Sequence, residues 1–153
     1  MKPADYITLC NGMAGVLAIL FIRTGNIPYA AGALIAAVLL DYADGFVAKK
    51  TKPTKFGMHL DALADMISFG VAPVAIMFVV VVNTWVVVLA GIVFVAAGMY
   101  RLARFQTKNS YQGMPITVNG VVVPLLLLTN VSLLPLYFLL ASCLMVSTFR
   151  WSR

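Results

Sequence analysis

The chain has 153 residues, of which 62% are hydrophobic and 10% charged, and its formal net charge is +6. Its mean hydropathy is +0.98, whereas a soluble domain of this length is about half apolar and about one quarter charged. This composition excludes an ordinary soluble domain. The positive charge points to anionic lipid rather than nucleic acid, because no basic stretch is interleaved with stacking aromatics.

Six apolar segments follow in order, at about 6–22, 27–48, 58–82, 84–104, 116–130 and 133–149. A helix needs about 20 residues to cross a hydrocarbon core of about 30 Å, so the fifth segment is marginal. With short connections, the expectation is an all-α integral membrane protein: one six-transmembrane-helix bundle over residues 1–153. The first segment follows Lys2 and ends directly at Arg23, which reads as a retained span rather than a cleaved signal. Threading six spans puts ten of the eleven basic residues on one side, in Lys2, the 49–55 loop, the 101–108 loop and the Arg150/Arg153 tail, with Arg23 alone opposite. The positive-inside rule then places both termini in the cytoplasm, with the cell membrane as the location. Trp85 and Trp151 fall at the outer and inner boundaries. Cys10 and Cys143, isolated in apolar segments, read as packing residues, as do Met58, Met66, Met77 and Met99. The run "AGALIAA" (Ala31–Ala37) offers small-residue spacing for a close helix contact, within the chain or at a dimer interface.

All five acidic residues are aspartates, and four of them lie in Asp41–Asp65, in two oily segments joined by a lysine-rich loop. An ionised aspartate in mid-membrane costs at least about 2.5–3.5 kcal/mol. Four must therefore line a polar cavity, bind cations, or both. Asp41 and Asp44 are three apart and Asp61 and Asp65 four apart, so each pair shares a helical face. The loop turns the chain back and brings the two faces together near the cytoplasmic side. Convergent carboxylates are hard ligands that suit Mg²⁺, Mn²⁺ or Ca²⁺, and Mg²⁺ or Mn²⁺ keeps positions open for phosphate oxygens. Gly45, Ala48 and Gly57 share faces with the acids and make room for something bulky beside the metal. Lys49 reads as a contact to an anionic ligand, and Lys52 and Lys55 as topology-setting charges. His59 lies about 200° around the helix from Asp61 and misses the cluster.

These residues carry a family signature. Asp41-Tyr-Ala-Asp44-Gly45-Phe-Val-Ala48-Lys49, then Gly57-Met-His-Leu-Asp61-Ala-Leu-Ala-Asp65, resembles the motif of the CDP-alcohol phosphotransferases. Lys49 stands where arginine is usual, and the spacer to Gly57 is one residue shorter than the commoner one. The resemblance implies a six-helix membrane enzyme, usually a homodimer, that transfers a phosphatidyl-type group from a CDP-lipid to an alcohol and releases CMP. It implies that Asp41, Asp44 and Asp61 hold the metal. Asp65 is implied as the general base, with a possible share in metal coordination. Gly45, Ala48, Lys49 and Gly57 would surround the cytidine nucleotide.

Three further stretches resemble the CDP-diacylglycerol–serine phosphatidyltransferases: "TLCNGMAG" (Thr8–Gly15), with Asn11 implied as a nucleotide contact; "SFGVAP" (Ser68–Pro73) after Asp65; and "RLARF" followed by "GMPITVNG". Gln106 stands where asparagine is usual. The expected substrates are CDP-diacylglycerol or a related CDP-lipid and L-serine, whose carboxylate suits Arg101 and Arg104, three apart on one helix. Inositol phosphate, glycerol 3-phosphate or an archaeal ether lipid remain alternatives within the family. A cation or proton transporter with an aspartate-lined path is the alternative of another class.

Overall fold

A computed structural model describes residues 2–51, 54–81, 85–108 and 113–147. Among them the chain is helical and has no strand. Helix α1 runs Pro3–Arg23, α2 Ile27–Thr51, α3 Lys55–Asp65, α4 Ala72–Val80, α5 Trp85–Lys108, α6 Asn119–Thr129 and α7 Leu134–Val146. A π-helical stretch, Met66–Val71, joins α3 to α4 as one rod. Lys52, Arg150, Trp151 and Arg153, and the side chain of Lys108, lie outside the described residues.

Four rods are long and apolar enough to cross a membrane: Pro3–Arg23, Ile27–Lys50, Lys55–Val80 and Trp85–Thr107. Ile116–Thr129 and Val131–Val146 are shorter apolar helices. The exterior is oily, with Leu17, Leu20, Leu39, Leu63, Ile92, Leu125, Leu128 and Leu136 all exposed, while Asp44, Asp65, Asn11 and Asn119 are buried. Apolar outside and polar inside is the arrangement that lipid favours. Cys10 and Cys143 are exposed on this surface rather than packed inside. Met99 is exposed too, whereas Met77 is fully buried.

The first two helices pack closely because their facing residues are small: Ala14 and Ala18 of α1, and Ala30, Ala31 and Ala37 of α2, are all buried. Ala31 and Ala37 thus serve a contact within the chain. Phe94 of α5 and Phe138 of α7 stack at 4.4 Å between ring centroids, both fully buried.

The π stretch has a sequence cause. Pro73 has no N–H, and its ring crowds the carbonyl four residues back, that of Phe69. The helix widens just before it, and the Ala72 N–H donates to Ile67 O, five residues back. Phe69 O instead lies 3.5 Å from the donating Nδ2 of Asn119, whose Oδ1 accepts from the Tyr137 hydroxyl at 2.6 Å. Helix α1 presses on the same stretch. Ser68 Oγ donates to the Asn11 carbonyl at 2.8 Å, and a Cβ on Gly15 would come within 2.6 Å of Ser68 Cα. Backbone cannot yield as a side chain can, so Gly15→Ala should lower stability by about 1–3 kcal/mol. A melting curve in detergent reads this directly, and a variant melting with the parent would show the contact to be looser.

Contacts between helix ends fix how the rods point. The N-terminal ends of α1 and α3 meet the C-terminal ends of α2, α5 and α7. Lys2, Lys49, Lys50, Lys55, Arg101 and Arg104 therefore gather toward one end and Arg23 lies at the other. Trp85, 89% exposed, opens α5 at that opposite end.

Candidate active site

The two acidic faces meet. One carboxylate oxygen from each of Asp41, Asp44 and Asp61 lies within 4.8 Å of the others. Asp65, one turn beyond Asp61, is buried and borders the same cavity as Asp41 and Asp61. Four hard oxygen donors so close repel one another unless a cation sits among them. The donor set fits Mg²⁺, Mn²⁺ or Ca²⁺ and not a soft metal. Asp41, Asp44 and Asp61 are the residues that would hold it.

Helix α1 fastens the cluster from the side. Thr8 Oγ1 donates to Asp44 Oδ2 at 2.7 Å. One turn further on, Asn11 Nδ2 donates to Asp65 Oδ1 at 3.3 Å. Asn11 is fully buried, and its own Oδ1 has no hydrogen-bond partner among the described residues. Its side chain reaches the Asp65 side of the cluster.

The carboxylates separate two cavities. The first, about 160 Å³, is lined by Asp44 and Asp61 together with Gly45, Ala48, Gly57, Asp5 and Thr8. A Cβ built on Gly45 would meet no heavy atom within 4 Å, so the glycine opens this space rather than serving a packing contact. Lys49, one turn beyond Gly45, is exposed and does not line it. The second cavity, about 250 Å³, is lined by Asp41, Asp61 and Asp65 on one side and by Arg101, Gln106 and Thr117 on another. Asp61 and Met58 border both.

The two arginines part company. Arg101 lines the second cavity, whereas Arg104 Nη1 approaches the Val146 carbonyl at 3.5 Å, at the end of α7. Gln106 ties α5 to α3: its Oε1 lies 3.0 Å from His59 Nδ1 and its Nε2 donates to Met58 O at 3.3 Å. His59 lines neither cavity beside the carboxylates. The segment after Gly113 closes the second cavity. Gly113 has φ 77°, and a Cβ there would come within 2.6 Å of Met145 O. Its positive φ suits glycine, and the turn delivers Pro115, Ile116 and Thr117 to the cavity wall.

Sequence reasoning missed Asp5, Thr8, Gln106 and Thr117. Asp5 and Thr8 had a faint signal, an acid and a hydroxyl one turn apart in an apolar helix. The other two reach the site only through tertiary packing.

Known proteins resemble this chain over most of its length. An archaetidylserine synthase of Methanothermobacter thermautotrophicus is 33% identical over 97% of this chain and 69% of its own length. A CDP-diacylglycerol–serine O-phosphatidyltransferase of Bacillus subtilis is 33% identical over 95% of this chain and 86% of its own. The protein of the same name from Saccharomyces cerevisiae is 36% identical over 81% of this chain, which spans only half of that relative. The family model for CDP-alcohol phosphatidyltransferase matches residues 1–151, so the chain belongs to the CDP-alcohol phosphatidyltransferase family of phospholipid biosynthesis.

Proposed function

We propose that this protein transfers a phosphatidyl group from CDP-diacylglycerol, or the related archaeal CDP-lipid, to the hydroxyl of L-serine, with release of CMP. The observation that carries the reading is the partition of two cavities by one carboxylate cluster. Substitution at phosphorus needs the attacking and leaving oxygens roughly in line. The small-residue cavity suits the departing nucleotide and the Arg101 cavity suits the acceptor. A bound divalent cation supplies neutralisation of the diphosphate charge.

The chain's own groups account for the rest. Asp65 borders the acceptor cavity, where its carboxylate takes the proton of the serine hydroxyl. The serine oxygen bonds to the lipid-bearing phosphorus, the bond from that phosphorus to the bridging oxygen breaks, and CMP leaves on the opposite side. Asn11 holds Asp65 in place from α1. Arg101 grips the serine carboxylate. Gly45, Ala48 and Gly57 leave room for the nucleotide, and Lys49 adds positive charge at its approach.

Serine is favoured over a phosphorylated alcohol for two reasons. The relatives from both bacteria and yeast carry serine in their names, and Arg104, turned to Val146, leaves Arg101 as the cavity's described guanidinium. Arg101→Ala should raise the KM for serine about tenfold or more, the worth of a charged hydrogen bond, and Arg104→Ala should raise it much less. Equal effects from both variants, or none from Arg101→Ala, would remove Arg101 from the acceptor site.

The same reading includes six membrane spans in one domain, with both termini and the active site on the cytoplasmic side of the cell membrane. Its support is the gathering of basic residues at the end that holds the carboxylates. It also includes a homodimer, which the family resemblance implies and which the mass of the detergent-purified particle tests.

A further inference from the structure

Asp5 is the one acid outside the four-carboxylate cluster. It stands in the first turn of α1, is 4% exposed, and lines the small-residue cavity. Its Oδ2 accepts from the Lys2 backbone N–H at 2.7 Å, which is the usual work of an acid at that position in a helix. Oδ1 has another neighbour: a Cβ on Gly57 would come within 2.9 Å of it. The glycine therefore keeps clear an oxygen that helix capping does not use. Burying a carboxylate is costly unless hydrogen bonds compensate it, and an ionised one can only accept them. Into the cavity whose wall it shares with Lys2, the carboxylate offers acceptors that suit a ligand with hydroxyl or amine donors.

Position narrows the ligand. Asp5 lies one turn before Thr8, which bonds Asp44. Gly57 lies one turn before Asp61 and Ala48 one turn after Asp44. Three helices thus set Asp5, Gly57 and Ala48 at one level, about 5 Å from the carboxylates along the helix axes. In a nucleotide whose phosphates rest at those carboxylates, the sugar is the next group along, and the far edge of the base lies beyond it. A carboxylate is well matched to vicinal sugar hydroxyls, as in dinucleotide-binding folds where an acid bonds the ribose.

We propose that Asp5 reads the ribose of the cytidine nucleotide, its carboxylate accepting hydrogen bonds from the 2′- and 3′-hydroxyls. This rests on the assignment of the small-residue cavity to the nucleotide. The test is calorimetric binding of CMP and of 2′-deoxy-CMP, with Mn²⁺, to detergent-purified wild type, Asp5→Asn and Asp5→Ala. Wild type is expected to bind CMP about tenfold more tightly than the deoxy nucleotide. Asp5→Ala should weaken both nucleotides, but CMP by about that factor more than the deoxy nucleotide, which offers the carboxylate only its 3′-hydroxyl; the ratio then comes near one, and Asp5→Asn should fall between. Equal binding of both nucleotides by wild type would overturn the proposal. So would a loss in the variants that is the same for both, which is what a helix cap alone would produce. If Asp5→Ala does not fold, the wild-type ratio and Asp5→Asn decide. Serine-dependent CMP release by the wild type is followed separately. Its absence with every acceptor sinks the functional reading, whereas release with sugar-blind binding sinks only the role of Asp5.

Discussion

Asp65→Asn should lower serine-dependent CMP release about a thousandfold, within the range general bases contribute, while CMP still binds. The substitution keeps the shape of the side chain and an oxygen to accept from Asn11 Nδ2. It removes one of the like charges that meet at the cluster, so the variant should fold and melt no lower than the parent. What it loses is the lone pair that takes the hydroxyl proton. Among the described residues lining the second cavity, none is placed to substitute: Asp41 and Asp61 would hold the metal, and Arg101 and Gln106 carry no basic lone pair at neutral pH. A variant retaining more than about a tenth of parental turnover would move the base elsewhere.

Stripping divalent cations with a chelator should abolish turnover, and Mg²⁺ or Mn²⁺ should restore it. Without a cation, the oxygens of Asp41, Asp44 and Asp61, within 4.8 Å of one another, face the diphosphate with like charge. The melting temperature should fall as well, because a cation at a hundred times its dissociation constant stabilises the folded state by about 2.7 kcal/mol. Asp44→Asn should keep the Thr8 hydrogen bond, since an amide oxygen can still accept it, yet shift the metal concentration for half-maximal activity upward about tenfold or more. Full activity in the chelator would leave the carboxylates without their assigned purpose.

The centre of the site was legible because it depends on helical spacing alone. Pairs three and four residues apart had to share faces, and a short basic loop had to bring those faces together. Gly45, Ala48 and Gly57 were legible for the same reason. The different placement of the two arginines was not. Residues three apart stand about 60° from each other around a helix, wide enough for Arg101 to face the cavity and Arg104 to turn to α7. The motif marked Asn11 as a ligand contact, and its hydrogen bond to Asp65 came only with the packing of α1 against α3. The π stretch was foreshadowed by Pro73, although a proline alone does not say whether a helix breaks, kinks or widens. The last two helices are shorter than their apolar segments. Their ends are set by the 3₁₀ turns Ile116–Val118 and Val131–Leu133, which hydropathy does not register.

The most direct measurement is CMP release from CDP-diacylglycerol, and in parallel from the archaeal ether CDP-lipid, by detergent-purified protein supplied with Mn²⁺ or Mg²⁺. Serine, inositol phosphate and glycerol 3-phosphate are offered in separate reactions. Release with serine and with neither phosphorylated alcohol is the expected result. Release with a phosphorylated alcohol alone would keep the family and contradict the acceptor assigned to the Arg101 cavity, and release with no acceptor from either lipid would contradict the function as a whole.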